Sequence, residues 1–297
     1  MKNSKNSNDM YQKVRPLFLL CETPLHAGSG SDLGVVDLPI QRERHTSYPK
    51  IESSSLKGAL REDFESNKQK IKIGANQCEV NKDVDPKTHK AAAGSPLALA
   101  FGPEGDDSAN AHAGALGFTD ARLLLFPVKS MRGVFAWITC PAVLRRFERD
   151  MRLVEGLSAF QISGIPSSSD LSGNNGNFAG HFTNCTAAIP NAKAVILEEY
   201  TFNLTPSRDS IKVKWNDNDG EEQLLGHYLS NVLAINDDFL REKLKTDILI
   251  ISDDDFRDFV EMSTEVITRT KIDNETGTVQ KGGLFTEEYL PTDSLMY

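Results

Sequence analysis

The chain has 297 residues, of which 39% are hydrophobic and 25% charged, and its formal net charge is −9. This composition is typical of a globular protein with a sizeable core, and it excludes fibrous and low-complexity chains. The longest purely apolar run near the N-terminus, Leu17 to Cys21, is too short for a signal-peptide core or a membrane span. We therefore expect a cytoplasmic protein with no membrane partner. The four cysteines are widely separated without a C-x-x-C pair, which argues against a structural zinc site and a disulfide framework.

The charge is unevenly distributed along the chain. Residues 1–61 contain nine Lys or Arg against six Asp or Glu, and residues 120–152 contain seven against three. Residues 216–265 instead contain four basic and fourteen acidic residues. A surface polarised in this way can bind an anionic polymer on one side and a basic partner on the other, although a charge run is more often a solvated face.

The first third of the chain predicts one strand, one helix and a long insertion. We expect residues 1–13 to be disordered, and "VRPLFLLCETPLH" predicts a strand that ends where a glycine-rich loop begins. A serine cluster and a stripe of Leu56, Leu60 and Phe64 predict a helix from about residue 54 to 67. Residues 68–115 lack sustained periodicity, so we interpret them as an insertion outside the core.

The remaining elements alternate between strands and helices. The stretches "GALGFTDARLLLFPVKS" and "GVFAWITC" predict strands, and a helix follows with Pro141 in its first turn. An irregular segment at about 161–192 precedes a strand in "KAVILEEYTFNL". Two helices are predicted in "EEQLLGHYLSNVLA" and "DDFLREKL", then a buried strand in "DILIIS", a helix capped by Ser252, and a strand in "EVITRTKID".

This order of elements predicts an α+β fold. The succession strand, helix, strand, strand, helix, strand is that of the ferredoxin-like split β-α-β unit, and it can be read twice as a duplicated or degenerate pair with large insertions. We expect a single domain over residues 14–297 with insertions at about 68–115 and 161–192.

The stretch "HAGSGSDLGVVDLPIQRERH", residues 26–45, is the first candidate site. Its glycines follow a strand as in a dinucleotide fingerprint, but Pro39 and Pro49 separate them from the next helix, which begins only near Ser54. The Gly-Lys-Ser/Thr ending of a P-loop is also missing. A sugar-phosphate ligand is compatible with the stretch, because glycines allow close backbone approach and Arg42 and Arg44 offer bidentate donors to phosphate.

Several side chains near this stretch have both a chemical and a structural interpretation. Asp37 can hold a divalent cation, orient a ribose hydroxyl or act as a general base, and it can equally stabilise the loop as an Asx turn. His26 and His45 bracket the loop and can act as acid and base, although a lone histidine is more often structural. The "KGGLF" segment predicts either a second RNA contact or a hairpin turn with Gly283 at positive φ.

These motifs together resemble one family. The runs "ETPLHAGSGSDLGVVDLPIQRERHTSYPKIESSSLKGALRE", "FGPEG", "GALGFTDARLLLFPVKS" and "KGGLFTEEYLP" resemble the backbone subunit of the type III-B CRISPR effector, the Cmr complex, in the RAMP superfamily. The resemblance implies an RRM-like palm with a thumb-like hairpin, several copies stacked in a helical filament along a CRISPR RNA, and contacts to complementary target RNA and to other subunits of the complex. Either insertion is a candidate for the thumb.

The resemblance also implies an activity and a set of site residues. The family cleaves target RNA at regular intervals in a reaction that depends on Mg2+ or another divalent cation. Asp37 matches the catalytic aspartate, and His26 matches a histidine at the start of the loop. Positions expected near guide or target RNA are Arg42, Arg44, His45, Lys57, Gly282 and Gly283. One carboxylate cannot hold a metal alone, so we expect RNA oxygens and water to supply most of its ligands.

The sequence therefore predicts an RNA-guided, metal-dependent endoribonuclease that acts in the assembled complex and also holds the guide. Two alternatives remain open. One is a non-catalytic RNA-binding scaffold subunit of the same complex, and the other is a guide-processing RNase of the same superfamily.

Overall fold

A computed structural model describes residues 13–30, 34–66, 70–73, 76–79, 95–103, 112–154, 156–173, 176–205, 211–215, 222–233 and 235–297. Residues 1–12, nearly all of the segment predicted to be disordered, lie outside the described residues. Most of the predicted insertion at 68–115 lies outside them as well. The contacts divide the chain into two compact units, Met1–Pro49 with Leu123–Tyr297, and Lys50–Arg122.

The described residues form a mixed set of helices and short strands, which confirms the α+β class. The helices are α1 (Ser53–Ser66), α2 (Pro96–Phe101), α3 (Pro141–Met151), α4 (Ser168–Leu171), α5 (Leu225–Val232), α6 (Asp238–Thr246) and α7 (Asp253–Met262). The strands are β1 (Leu19–Leu20), β2 (Lys50–Ile51), β3 (Lys70–Ile73), β4 (Asn76–Glu79), β5 (Ala121–Lys129), β6 (Phe135–Thr139), β7 (Gln161–Ser163), β8 (Ser172–Gly173), β9 (Gly176–Ala179), β10 (Ala194–Leu197), β11 (Tyr200–Leu204), β12 (Lys212–Lys214), β13 (Gln223–Leu224), β14 (Ile248–Ile250), β15 (Glu265–Ile272), β16 (Val279–Tyr289) and β17 (Leu295–Met296).

The first unit is built on a sheet with the strand order β1-β17-β5-β6-β14. β14 runs parallel to β6, and the other neighbours are antiparallel. β5 is buried along nearly its whole length, as expected for a strand covered on both faces. The predicted stripe of α3, Val143, Phe147 and Met151, is buried, and Ser252 caps α7 by accepting a hydrogen bond from the Asp255 N–H at 3.1 Å.

The second unit contains α1, which runs from Ser53 to Ser66 and confirms the predicted helix to within a residue at each end. Leu60 and Phe64 of α1 pack against Leu97 and Phe101 of α2. The expectation that this part of the insertion lies outside the core is therefore wrong. Ser95 caps α2 and Pro96 occupies its first turn, so a six-residue helix forms where no long periodic pattern is visible.

Two further predictions are corrected in the first unit. The stretch "KAVILEEYTFNL" forms two antiparallel strands, β10 and β11, because the chain reverses at Glu198, whose φ is 50°. The "KGGLF" segment is not a hairpin turn but a bulge within β16. Thr270 pairs with Leu284 and Ile272 with Val279, which leaves the glycines opposite Lys271.

Within the described residues, no helix has the length and apolar character needed to cross a membrane.

Candidate functional site

The described parts of the stretch at 26–45, residues 26–30 and 34–45, pair with each other through their backbones. Gly28 forms an antiparallel bridge with Ile40. The Ser29 N–H donates to the Pro39 carbonyl at 3.0 Å, and the Gln41 N–H donates to the Ala27 carbonyl at 2.7 Å. The glycines therefore do not precede a helix N-terminus, which agrees with the exclusion of a dinucleotide site from the sequence.

Strand β16 pairs with the second half of this loop. Leu38 forms a parallel bridge with Glu287, and its N–H donates to the Thr286 carbonyl at 3.0 Å. Leu25, just before the loop, forms an antiparallel bridge with Leu290. Residues 286–290 thus contact the chain on both sides of the glycine-rich segment, so the end of β16 and the residue after it fix the loop at two points.

Asp37 lies on this contact, with its side chain exposed to solvent. Its Oδ2 accepts hydrogen bonds from the Thr286 N–H at 2.8 Å and from the Thr286 hydroxyl at 2.9 Å. The Thr286 N–H and then its hydroxyl are the main groups that hold the pKa of the Asp37 carboxyl below its usual value. The carboxylate is therefore ionised at neutral pH, fixed in orientation and accessible from outside.

His26 lies at the start of the loop, partly buried against the same strand. Its Nδ1 is 2.7 Å from the Glu288 carbonyl oxygen. A carbonyl can only accept, so Nδ1 is the protonated nitrogen, and Nε2 is the ring atom that can exchange a proton. The ring contacts Tyr289 with a centroid distance of 5.4 Å. A Cβ at Gly28 would lie 2.8 Å from Nε2, so glycine at that position leaves room for the ring.

A polar network on the hairpin adjoins His26. Arg269 donates to Glu287 at 3.2 Å and to the Tyr289 hydroxyl at 2.9 Å, and the Tyr289 hydroxyl also donates to Glu287. The Tyr289 bond is the largest of the effects that keep the pKa of the Glu287 carboxyl below its ordinary value. The network fixes these three side chains beside the loop.

Glu288 is the buried anchor of the loop, with a relative exposure of 5%. Its Oε2 accepts from the Ile40 N–H at 3.0 Å, and its Oε1 accepts from the Thr264 hydroxyl at 2.7 Å and from Arg42 at 2.5 Å. Arg42 also donates to the carbonyls of Ser47 and Val260 at 2.8 and 2.9 Å. Arg42, expected near RNA, therefore already has three partners inside the protein.

Arg44 and His45 lie on an exposed turn at the end of the stretch. Glu43, beside them, accepts from Arg146 at 2.8 Å at both carboxylate oxygens and from the Thr46 hydroxyl at 2.6 Å. Burial raises the pKa of the Glu43 carboxyl, but the bonds from Thr46 and Arg146 outweigh it, so that its pKa lies below its usual value. The turn is thus anchored while its two basic side chains face solvent.

The other expected RNA contacts lie elsewhere. Gly282 and Gly283 are on β16, four and three residues before Thr286, which contacts Asp37. Gly282 adopts a φ of 75°, and Gly283 does not adopt a positive φ. A Cβ at Gly283 would lie 2.9 Å from the Gln280 carbonyl oxygen and 3.0 Å from that of Lys271, so the bulge requires glycine there. Lys57 is on α1 in the second unit.

The sequence did not single out Thr286 or Glu288, although these residues organise the loop. The signal was present in "LFTEEYLP", which follows the glycines in a strand. In a strand at the end of an apolar stretch, every second side chain faces inward. Glu288 shares a face with Leu290, two residues later, and both side chains are buried. A carboxylate at such an inward position needs hydrogen-bond partners.

No cluster of three or more His, Cys, Asp and Glu side chains arranged to hold a metal ion exists among the residues that the structure describes. Asp37 by itself offers one carboxylate, with Oδ2 already taken by Thr286. The expected divalent cation fits this site only as an ion that takes one protein ligand and fills its other positions with substrate oxygens and water.

Comparison with known proteins identifies the family. The sequence profile of the RAMP superfamily matches residues 18–296. The chain belongs to the RAMP superfamily. This RAMP protein is 39% identical over 278 residues to the CRISPR system Cmr endoribonuclease Cmr4 of Pyrococcus furiosus, covering 93% of this chain and 77% of that protein. It is 26% identical over 302 residues to the CMR subunit Cmr4 of Saccharolobus solfataricus, covering 97% and 83% respectively.

Solved structures give the same result for this RAMP protein. The crystal structure of oligomeric Cmr4 from Pyrococcus furiosus matches with a TM-score of 0.57 and 30% identity, covering 94% of this chain and 77% of that one. A type III-B Cmr-beta complex bound to cognate target RNA contains a chain that matches with a TM-score of 0.60 and 20% identity, covering 94% and 80%. The resemblance to the backbone subunit of the type III-B effector is confirmed.

Proposed function

We propose that this chain is the guide-holding backbone subunit of a type III-B CRISPR effector and cleaves target RNA at regular intervals. The relative with 39% identity carries the endoribonuclease name, and the structure with 30% identity is of an oligomer. Several copies of this chain would then stack along a CRISPR RNA, in contact with complementary target RNA and other subunits. The central sheet β1-β17-β5-β6-β14 would serve as the ferredoxin-like palm.

The observation that carries the proposal is the Asp37 carboxylate, which is exposed, ionised and held in one orientation by Thr286. A carboxylate with these properties is suited to accept a proton from the 2′-hydroxyl of a nucleotide that lies against the loop. The 2′-oxygen then attacks its own phosphate in line, and the bond from phosphorus to the 5′-oxygen breaks. The products are a 2′,3′-cyclic phosphate and a 5′-hydroxyl.

His26 is the group we assign to the leaving oxygen. The Glu288 carbonyl fixes Nδ1–H, so a protonated Nε2 is the ring atom that can deliver a proton to the departing 5′-oxygen. Asp37 is also the side chain that would hold a divalent cation, together with RNA oxygens and water. Such a cation would supply stabilisation of the negative charge that develops on the phosphate.

RNA contacts are assigned to basic and glycine positions in each unit. In the first unit Arg44 and His45 are exposed on an anchored turn, and in the second unit Lys57 is the proposed RNA contact. Arg42 supports RNA binding indirectly in this proposal, because its guanidinium holds the loop through Glu288. The exposed Gly282 of the bulge would let a sugar-phosphate chain approach the backbone closely, while the buried Gly283 lets the bulge form.

We propose the hairpin of β15 and β16 as the thumb, in place of the two insertions considered from the sequence. It is a two-stranded sheet with exposed apolar side chains towards its tip, among them Ile272 at 56% and Leu284 at 64%. Beyond the residues that pair with the loop the ribbon has two strands only, and a two-stranded hairpin is marginally stable by itself in water, so we expect a ligand to cover its apolar side chains. Apolar side chains that face separated bases, flanked by Arg269 and Lys271, suit a wedge in a guide-target duplex.

The test is target cleavage by the reconstituted complex, with labelled complementary RNA, Mg2+ or EDTA, and either wild-type protein or Asp37→Ala. We expect a ladder of regularly spaced products that requires the cation and disappears in the variant while target binding persists. Unchanged cutting by Asp37→Ala would instead leave the subunit as a scaffold. Cutting of precursor guide RNA without any target would indicate a guide-processing RNase.

A further inference from the structure

Thr286 contacts the Asp37 segment through all of its polar groups. Its N–H donates to Asp37 Oδ2 at 2.8 Å, and its hydroxyl donates to the same oxygen at 2.9 Å. The hydroxyl oxygen also accepts from the Asp37 N–H at 3.0 Å, and the Thr286 carbonyl accepts from the Leu38 N–H at 3.0 Å. One threonine therefore bonds both the backbone and the carboxylate of Asp37.

We propose that Thr286 is a positioning residue for cleavage, which holds Oδ2 of Asp37 and thereby directs Oδ1 towards the RNA. The inference rests on the proposed role of Asp37 in the reaction. Both bonds from Thr286 reach the same carboxylate oxygen, so they fix the rotation of the carboxylate as well as its place. The oxygen that they do not engage is the one available to the reacting hydroxyl or a cation.

The hydroxyl is needed in addition to the backbone contact. The terminal torsion of an aspartate is broad and roughly two-fold, so a single donor leaves the carboxylate free to rock about it. The Thr286 hydroxyl adds a second donor to Oδ2 and gives the Asp37 N–H an acceptor. Without it, the backbone N–H of residue 286 would be the remaining donor of this pair.

The hydroxyl can be removed without dismantling the surrounding structure. Glu288 anchors the strand two residues later through Ile40 and Arg42, and Leu290 pairs with Leu25 through both of their N–H groups, at 2.8 and 2.9 Å. None of these bonds involves the Thr286 side chain. Valine has the shape of threonine and a strong strand preference, so Thr286→Val keeps the strand while it removes one donor and one acceptor.

The experiment compares reconstituted complexes that carry Thr286→Val, Thr286→Ser, Asp37→Asn or Thr201→Val. Thr201 is an exposed strand threonine of β11 and serves as the matched control. Single-turnover cleavage and target binding are measured for each complex. We expect Thr286→Val to cleave about tenfold to a hundredfold more slowly, the range expected when a reacting group is misplaced. Thr286→Ser and Thr201→Val should remain near the wild-type rate, and all four should bind target as wild type does.

Each other outcome overturns the inference in a recognisable way. Wild-type cleavage by Thr286→Val would show that the hydroxyl does not position Asp37. An equal loss in Thr286→Ser would indicate that the strand, and not the hydroxyl, matters. A loss of target binding that matches the loss of rate would make Thr286 a binding residue. Wild-type cleavage by Asp37→Asn would instead refute the proposed catalytic role of Asp37, a role that the Thr286 variants do not test.

Discussion

The buried pair of Glu288 and Arg42 should be the main energetic support of the loop. Glu288→Gln keeps the size of the side chain but turns one acceptor oxygen into a donor. In the wild-type protein the Ile40 N–H and the Arg42 guanidinium both donate to the carboxylate. In the variant, the amide NH2 group would face one of these two donors. Arg42, whose side chain is 21% exposed, also loses its counter-charge.

The magnitude follows from the environment of the pair. Removing one partner of a buried ion pair typically costs about 3–5 kcal/mol of the free energy of unfolding. Arg42 keeps the carbonyls of Ser47 and Val260 and is partly solvated, so we expect about 3 kcal/mol, the low end of that range. The assay is urea unfolding at pH 7, with Asp238→Asn as the control, because Asp238 belongs to an exposed pair and its loss should leave the midpoint unchanged.

A double-variant cycle separates this pair from general damage to the loop. Arg42→Met removes the charge that Glu288→Gln leaves unpaired, so the double variant should be less destabilised than the sum of the single variants. A loss below about 1 kcal/mol in Glu288→Gln, the size of one ordinary hydrogen bond, would refute the reasoning. Strict additivity in the cycle would refute it as well.

Three further outcomes follow from the structure. Gly114→Ala would place a Cβ 2.4 Å from the backbone carbonyl carbon of Phe101 at the end of α2. The melting temperature should therefore fall by an amount equivalent to about 1–3 kcal/mol. In the control Gly117→Ala the new Cβ meets no atom within 4 Å, so the melting temperature should not fall. The pKa of the Glu43 carboxyl is lowered in the folded state, so its contribution to stability is present at pH values above the unfolded-state pKa and is lost as the pH falls through the folded-state pKa. Glu43→Gln should therefore lower the free energy of unfolding at pH 7 and make it depend less on pH in the acid range, as unfolding scans would show. An unchanged dependence on acid pH would contradict the assignment. Burial raises the pKa of three thiols, Cys21 to about 11, Cys140 to about 12 and Cys185 to about 11. An alkylating reagent at pH 8 should therefore modify them only after the protein unfolds, as peptide mass spectrometry would show. Modification in the folded protein would contradict their buried placement.

The elements that the sequence predicted well have local signals. α1 begins with a serine cluster, α3 begins at a proline after a strand, and α7 is capped by Ser252. These signals lie within a few residues of the element that they define. α2 has a cap and a proline but only six residues, so its burial against Phe64 could not be inferred from periodicity.

The candidate site likewise combines residues that have a local sequence signal with partners that have none. Asp37 and His26 were found because they lie in one short motif, whose resemblance to a family gave them roles. Their partners are far along the chain: Thr286 is 249 residues from Asp37, and Glu288 is 262 residues from His26. Contacts of this kind depend on the pairing of β16 with the loop, and no local pattern contains that information.

The central claim is that the charge of the Asp37 carboxylate drives cleavage. Asp37→Asn tests it most directly, because the carboxamide oxygen can still accept both bonds from Thr286 while the side chain loses its charge and its basicity. The measurement is the single-turnover cleavage rate of the reconstituted complex that carries this variant, with target binding followed in parallel. We predict that cleavage is abolished and binding is retained, whereas cleavage at the wild-type rate would contradict the account.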